Sequence, residues 1–319
     1  MRYDVFNGDA DGLCALQQLR LHMPADAQIV TGTKRDVRLL ERVPARLGDE
    51  ITVLDVSVEA NRAALDRALD AGARVQWFDH HHAGTPPVHP HFEAHLDPDP
   101  NVCTSLLVDR HLGGPHRAWA IVAAFGDNLQ AQAEQLGRAL GCSAAAIDTL
   151  RALGEALNYN AYGDTIGDLR FDPAHLAQRM RPYADPLDFA REEDVLATLL
   201  RGYGDDLALA QAIAPLRETA QAAVYVLPAA AWARRAIGAF ANRLASAATT
   251  RAHAVLAGRE DGSYVVSVRA PVARPEGAGE LCAQFPTGGG RRGAGGIDRL
   301  QAGDVERFLA AFTRRYSTT

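Results

Sequence analysis

Four short runs rich in β-branched and aromatic residues recur near the start of the chain, at 2–7 (RYDVFN), 27–33, 50–57 (EITVLDVS) and 73–78 (ARVQWF). Between them lie stretches with helical spacing at 13–23, 37–47 and 61–72. Asn61 suits an N-cap, Gly72 suits the residue after the last turn, and Pro44 falls near the end of the middle stretch. Two strands separated by a helix do not close as a tight hairpin; they cross over and pair in parallel. Such crossovers are right-handed. The alternation therefore predicts an α/β fold built on a parallel sheet.

The rhythm changes after this region. Residues 104–157 are mostly helical in pattern, and Pro182, Asp185 and Pro186 mark a break. Residues 189–227 read as a helical connector leading into a strand at 223–227. The last hundred residues suggest a helix at 237–248, a hairpin of 252–258 with 263–270, a glycine-rich loop at 288–296 and a terminal helix at 304–316. The expected organisation is a catalytic domain over 1–185, a helical connector over 186–221 and a smaller mixed α/β domain over 222–319.

Charge narrows the classes of partner. The chain of 319 residues carries 33 basic and 39 acidic side chains. A net charge of -6 is a poor basis for coating duplex DNA through many phosphate contacts. The balance is uneven: residues 1–215 hold 19 basic and 31 acidic groups, and 216–319 hold 14 and 8. Lys34 stands alone among 32 Arg, which reads as the codon bias of a GC-rich genome. Cys14, Cys103, Cys142 and Cys282 form no C-x-x-C pair. No secretory leader and no run of about 20 apolar residues is evident, so the expectation is a cytoplasmic protein without a membrane association.

The chemistry gathers at the strand ends. Asp9 and Asp11 follow the first run, Asp55 closes the third, and Asp79, His80 and His81 close the fourth. In an open parallel sheet the carboxyl ends of the strands share one edge, and ligands bind in the crevice there. Any one of these residues alone reads as a cap or a turn residue. Together they crowd negative charge that divalent cations would neutralise. Oxygen and imidazole donors without thiolates suit Mn²⁺ or Mg²⁺. His82, His89, His91 and His95 fall in a Pro-containing stretch and read as solvated loop residues. Tyr159 and Tyr162 read first as core, with base stacking the functional alternative.

The pattern resembles the DHH phosphoesterase superfamily, through Asp9-Ala10-Asp11-Gly12, Asp55 in LDVS, Asp79-His80-His81 and Asp127 in AFGDN, in that order. The resemblance extends over nearly the whole chain. It implies that Asp55 bridges two Mn²⁺ ions, with Mg²⁺ a substitute. Asp9 would serve the first ion, and Asp11, His80 and Asp127 the second. His81 and Asp79 would be the catalytic residues, His81 facing the substrate phosphate and Asp79 supporting the histidines. Family members commonly carry a His four residues before the first Asp. Here that position is Val5, with Asn7 the candidate replacement and water the alternative. Two ions about 3.5–4 Å apart would lower the pKa of a water for in-line attack on phosphorus.

Gly288-Gly289-Gly290-Arg291 resembles the GGGH motif of the DHH-associated C-terminal domain, with Arg291 at the family's His position. Glycines let backbone N–H groups approach an anion, and arginine pairs with phosphate in bidentate fashion. Arg269 also resembles a substrate-contacting residue, with an outward strand position the alternative. The resemblance implies a nanoRNase-like phosphodiesterase that cuts very short single-stranded oligonucleotides, such as linear dinucleotides, to mononucleotides. The alternatives are a phosphomonoesterase acting on 3′-phosphoadenosine-5′-phosphate or a related small nucleotide, and a catalytically silent nucleotide-binding module. A homodimer is compatible with the sequence.

Overall fold

The early runs form the strands of a parallel sheet in the computed structural model, which describes residues 1–316. Strand β1 spans Arg2–Phe6 and leads into helix α1, Ala10–His22. Strand β2 is Gln28–Thr31, β3 is Glu50–Leu54, α2 is Arg62–Asp70, β4 is Arg74–Asp79 and β5 is Phe92–Leu96. The sheet order is β2-β1-β3-β4-β5, every neighbour parallel. Strand direction alternates the side chains between two apolar layers. Tyr3, Val5, Ile51, Val53, Val75 and Trp77 join one core with Leu65 and Leu69 of α2. Phe6, Leu54 and Phe78 join the other, with α1 and the helices that follow. Burial on both faces is what a parallel sheet requires.

Three early expectations are corrected. Residues 37–47 do not form a helix; only Leu39–Arg42 makes a 3₁₀ turn. Pro44 lacks an N–H and pushes Val43 to an extended conformation, which stops the turn. Asn61 caps nothing with its side chain. Instead it accepts from the Leu40 N–H at 3.2 Å and donates to the Val37 carbonyl at 2.6 Å, tying this turn down. His95 is not a loop residue. It lies in β5, an edge strand whose polar sequence (FEAHL) hides its period, and it stacks on Phe78 with ring centroids 4.3 Å apart.

The helical half comprises α3 (Thr104–Leu112), α4 (Arg117–Gly126), α5 (Gln130–Ala139), α6 (Ala144–Asn160), α7 (Pro173–Met180) and α8 (Pro186–Glu192). Helices α4 and α6 cross at glycine. A Cβ on Gly154 would fall 2.1 Å from the Val122 carbonyl oxygen, and one on Gly126 would fall 2.5 Å from the Ala10 Cβ. Only hydrogen at both positions lets α4 approach α6 and α1 this closely. Asp127 follows Gly126 directly, so the crossing also fixes where that carboxylate lies.

The chain divides between Leu200 and Arg201 into two units. Helix α9, Val195–Gln211, begins in the first and ends in the second. Val195 and Leu199 are buried in the first core, Leu207 and Ala210 in the second.

The second unit is a mixed sheet in the order β10-β11-β9-β8-β7-β6. In chain order its elements are β6 (Arg217–Glu218), β7 (Ala222–Leu227), α10 (Ala231–Ala247), β8 (Ala252–Gly258), β9 (Tyr264–Arg269), α11 (Ala278–Cys282), β10 (Gly288–Gly290), β11 (Ala294–Leu300) and α12 (Val305–Tyr316). Residues of α11 and α12 pack with one apolar cluster and residues of α10 with another. Asp206 and Arg235 form a buried bidentate pair, with N–O distances of 2.7 and 3.0 Å. The α/β reading holds for both units. Among the described residues no helix is long and apolar enough to cross a membrane.

Candidate metal centre

The first unit brings the motif residues of four segments to the carboxyl edge of its sheet. Asp9 is the N-cap of α1: its Oδ1 accepts from the N–H groups of Asp11 at 3.0 Å and Gly12 at 3.1 Å. Gly12 is required at that turn, because a Cβ there would lie 2.1 Å from the Asn7 carbonyl oxygen. Asp11 reaches across to α3, accepting from the N–H groups of Thr104 and Ser105, both at 2.7 Å. It therefore caps a helix 93 residues away in sequence, where the dipole favours a carboxylate. Asp55 follows β3 with φ of 57°, the left-handed region, and accepts from the Thr104 hydroxyl at 3.1 Å. A non-glycine residue held there stores strain typical of functional positions.

The histidines are oriented by their Nδ1 atoms. His80 Nδ1 lies 2.9 Å from the Val102 carbonyl oxygen. A carbonyl only accepts, so Nδ1 carries the proton and Nε2 faces the carboxylates. Nε2 lies 3.5 Å from both Asp55 Oδ1 and Asp127 Oδ2. His81 Nδ1 pairs with Asp79 Oδ1 at 2.7 Å, and the ring is half-exposed. Asp79 is fully buried, and its Oδ2 has no hydrogen-bond partner among the described residues. Asp79 thus supports His81; the Nδ1 partner of His80 is the Val102 carbonyl.

Crowding shows in the electrostatics. Burial first, then the charge of Asp55, raises the Asp11 carboxyl to about 6. Asp55 rises to about 6 through burial and then Asp9, and Asp127 to about 6 through burial and then Asp11. His80 is raised to about 10: burial opposes this, but Asp55, Asp11 and Asp127 outweigh it. His81 is raised to about 9, chiefly by its bond to Asp79. Asp9 differs. Burial pushes it up, but Lys34 overcomes this and holds it below the usual carboxylate range.

At this edge two donor sets have their ligand atoms within 4.8 Å of one another, Asp11, His80 and Asp127, and Asp55, His80 and His81; a third such group, Glu93, His95 and His111, lies on β5 and α3. Carboxylate oxygens and a lone-pair imidazole nitrogen fit Mn²⁺ or Mg²⁺. The free thiols of Cys14 and Cys103 are buried and pushed well above their usual range, first by burial, so neither is a nucleophile. A separate cleft of about 410 Å³ opens at the opposite, amino end of the strands, beside Thr52 and Gln76, and contains none of these carboxylates.

Lys34 was invisible as a site residue in the sequence. Its ammonium lies 2.5 Å from Asp9 Oδ2, 2.9 Å from Asn158 Oδ1 and 3.7 Å from Asp127 Oδ1. The Tyr162 ring centroid is 5.8 Å away. Burial opposes the charge, but Asp9, Tyr162 and Asp127 raise the lysine well above its usual range. The sequence reading took the arginine excess as codon bias and assigned Lys34 no role in the site. The signal was its solitude in an arginine-rich chain.

The substrate-binding residues expected from the sequence, Arg269 and Gly288–Arg291, fall in the second unit. Gly288–Gly290 are not a loop but strand β10, paired antiparallel with β11. A Cβ on Gly288 would fall 1.9 Å from the Cys282 carbonyl oxygen, and one on Gly290 would fall 2.4 Å from the Ala294 carbonyl oxygen. Close packing accounts for both glycines. The N–H groups of Gly288 and Arg291 donate to Phe285 and Ala294. Gly289 faces open space and the Arg291 side chain is exposed. Arg269 donates through Nε to Asn242 at 2.6 Å.

No protein-family model matches the chain, and no curated protein does. Solved structures do. Exonuclease RecJ bound to manganese superposes with a TM-score of 0.60 at 21% identity, covering 98% of this chain and 89% of that one. The pGpG-specific phosphodiesterase PggH from Vibrio cholerae gives 0.57 at 17% identity, covering 98% of both chains. This chain shares the fold of these two structures, a parallel-sheet unit followed by a smaller mixed-sheet unit.

Proposed function

We propose that the chain is a divalent-metal-dependent phosphodiesterase that hydrolyses very short oligonucleotides, linear dinucleotides among them, to mononucleotides. One observation carries the reading: four carboxylates and two imidazoles converge at the carboxyl edge of a parallel sheet, next to the β1/β3 switch point where ligands of this architecture bind. The RecJ and PggH likenesses support the general class, and the dinucleotide named for PggH favours the small substrate.

In this reading Asp11, Asp55, His80 and Asp127 hold the cation. When bound, it supplies neutralisation of phosphoryl charge and a lowered water pKa. The chain's own groups do the rest. Val102 fixes the His80 tautomer so that Nε2 is the ligand atom. Asp79 orients His81, whose other ring nitrogen, Nε2, can donate to a phosphoryl oxygen. Thr104 steadies Asp55. In the second unit Arg291, in the connection between β10 and β11, is the proposed phosphate contact, with Arg269 of β9, paired with Ala294, the second.

The test incubates the purified protein with Mn²⁺ and a panel of linear dinucleotides, 5-mers, 24-mers, 3′-phosphoadenosine-5′-phosphate and pyrophosphate. Fastest turnover of the dinucleotides is expected. No turnover of any phosphate ester with Mn²⁺ or Mg²⁺ would overturn the proposal. Preference for 3′-phosphoadenosine-5′-phosphate would replace it by the phosphomonoesterase reading.

A further inference from the structure

We infer that the Lys34 ammonium is a built-in cation of this centre, standing where a first metal ion would otherwise be held, so that each chain binds one divalent ion and not two. The inference rests on the metal-dependent reading above.

The acceptors around Lys34 explain it. Asp9 is the residue expected to serve the first ion, yet both its oxygens are engaged. Oδ1 takes the two backbone N–H groups of Asp11 and Gly12, and Oδ2 takes the ammonium at 2.5 Å. The ammonium has three donors, and it is surrounded by three acceptors: Asp9 Oδ2, Asn158 Oδ1 and, at ion-pair distance, Asp127 Oδ1. Asp9 accordingly belongs to neither donor set.

No replacement for the family's usual histidine is at hand. Val5 is fully buried in an apolar cluster with Tyr3, Val53 and Trp77. The Asn7 side-chain Oδ1 already accepts from the Asp9 N–H at 3.2 Å. What stands beside Asp9 is Lys34.

Asp127 then lies between two cation positions. Its Oδ1 is 3.7 Å from the ammonium and its Oδ2 is 3.5 Å from His80 Nε2. Paired metal ions sit about 3.5–4 Å apart around shared oxygens. An ammonium is a compact point charge that fits such a position; a planar guanidinium is not. This gives a physical reason for one lysine among 32 arginines.

The experiment counts ions. Chelator-stripped protein is dialysed against Mn²⁺, and bound manganese per chain is measured by elemental analysis, with free Mn²⁺ followed by electron paramagnetic resonance. One ion per chain is expected, any second at least 100-fold weaker. Lys34 lies in a loop and is partly exposed, so Lys34→Met and Lys34→Gln should fold, checked by circular dichroism. Both should take up a second ion. Two ions of comparable affinity in the unaltered protein would overturn the inference, as would a count that stays at one in both variants. No bound ion in any of them would overturn the metal-dependent reading itself, and the inference with it.

Discussion

Asp55 combines a left-handed backbone with a carboxylate buried beside Asp9 and Asp127. Asparagine tolerates that backbone and can still accept from Thr104, so Asp55→Asn isolates the charge. A carboxyl raised to about 6 from 3.8 destabilises the metal-free fold at pH 7, because the unfolded chain ionises more easily. Asp55→Asn should therefore raise the metal-free stability by roughly 1–3 kcal/mol, seen as a higher melting midpoint, while lowering turnover about 100-fold. A lower midpoint at pH 7 would contradict this. His253 gives the opposite sign in the other unit. Burial, then the charge of Arg251, lowers it from 6.5 to about 4. Between those values the unfolded chain takes up a proton that the folded chain refuses. Its contribution is complete above about pH 6.5 and is lost as pH falls toward 4. Urea midpoints of the unaltered protein should thus fall relative to His253→Gln over that window, and parallel curves would refute it. At this scale the sequence was most legible where residue type and strand end coincide, as at Asp55 and His80. Lys34 and Asn158 were hidden because their partners come from segments far apart in sequence, and a lone lysine carries no spacing.

The elements differ in how openly they declare themselves. Strands β1, β3 and β4 are dense in apolar residues because both faces are covered, and the sequence marks them clearly. Strand β5 is an edge, with polar side chains that disguise it. The turn at Leu39–Arg42 has helical spacing but is stopped by Pro44. The glycine cluster was legible as a feature but its reason was not. Packing of β10 against the Cys282 carbonyl is a tertiary fact. Helical glycines make this distinction testable. Gly204 in α9 and Gly238 in α10 have open space where a Cβ would go. Alanine there should stabilise by about 0.5–1 kcal/mol, since it only restricts the unfolded chain and favours helix. Gly154→Ala should do the reverse. Its Cβ would meet the Val122 carbonyl at 2.1 Å and force α4 away from α6. A loss of about 1–3 kcal/mol is expected from such overpacking. Turnover should fall with it, because Asp127 rides on the end of α4. Chemical denaturation of the three variants measures the contrast, and a neutral Gly154→Ala would show that α4 is not positioned by this crossing.

For the whole molecule, the uneven charge acquires a meaning that the net value conceals. Five of the 31 acidic residues in 1–215 are Asp9, Asp11, Asp55, Asp79 and Asp127, all at the sheet edge or orienting its histidines. In the proposed reading their negative charge makes a cation site, partly balanced by Lys34. The excess of 14 basic over 8 acidic residues lies in 216–319, and much of it is already engaged. Arg292 pairs with Glu276, Arg299 with Asp261 and Arg307 with Asp304. What remains suits a few phosphates, not a long strand. Each phosphate neutralised on a single strand contributes about -0.7 to the slope of log affinity against log salt. For a linear dinucleotide, kcat/KM should therefore fall with a slope no steeper than about -2. It should fall further, at fixed salt, as the substrate lengthens from dinucleotide to 24-mer, because the added phosphates meet a chain of net charge -6. Steady-state kinetics from 50 to 300 mM NaCl on the two substrates measures both quantities. A steep slope with faster cutting of the 24-mer would mean that an extended basic track exists, and the small-substrate reading would have to be given up.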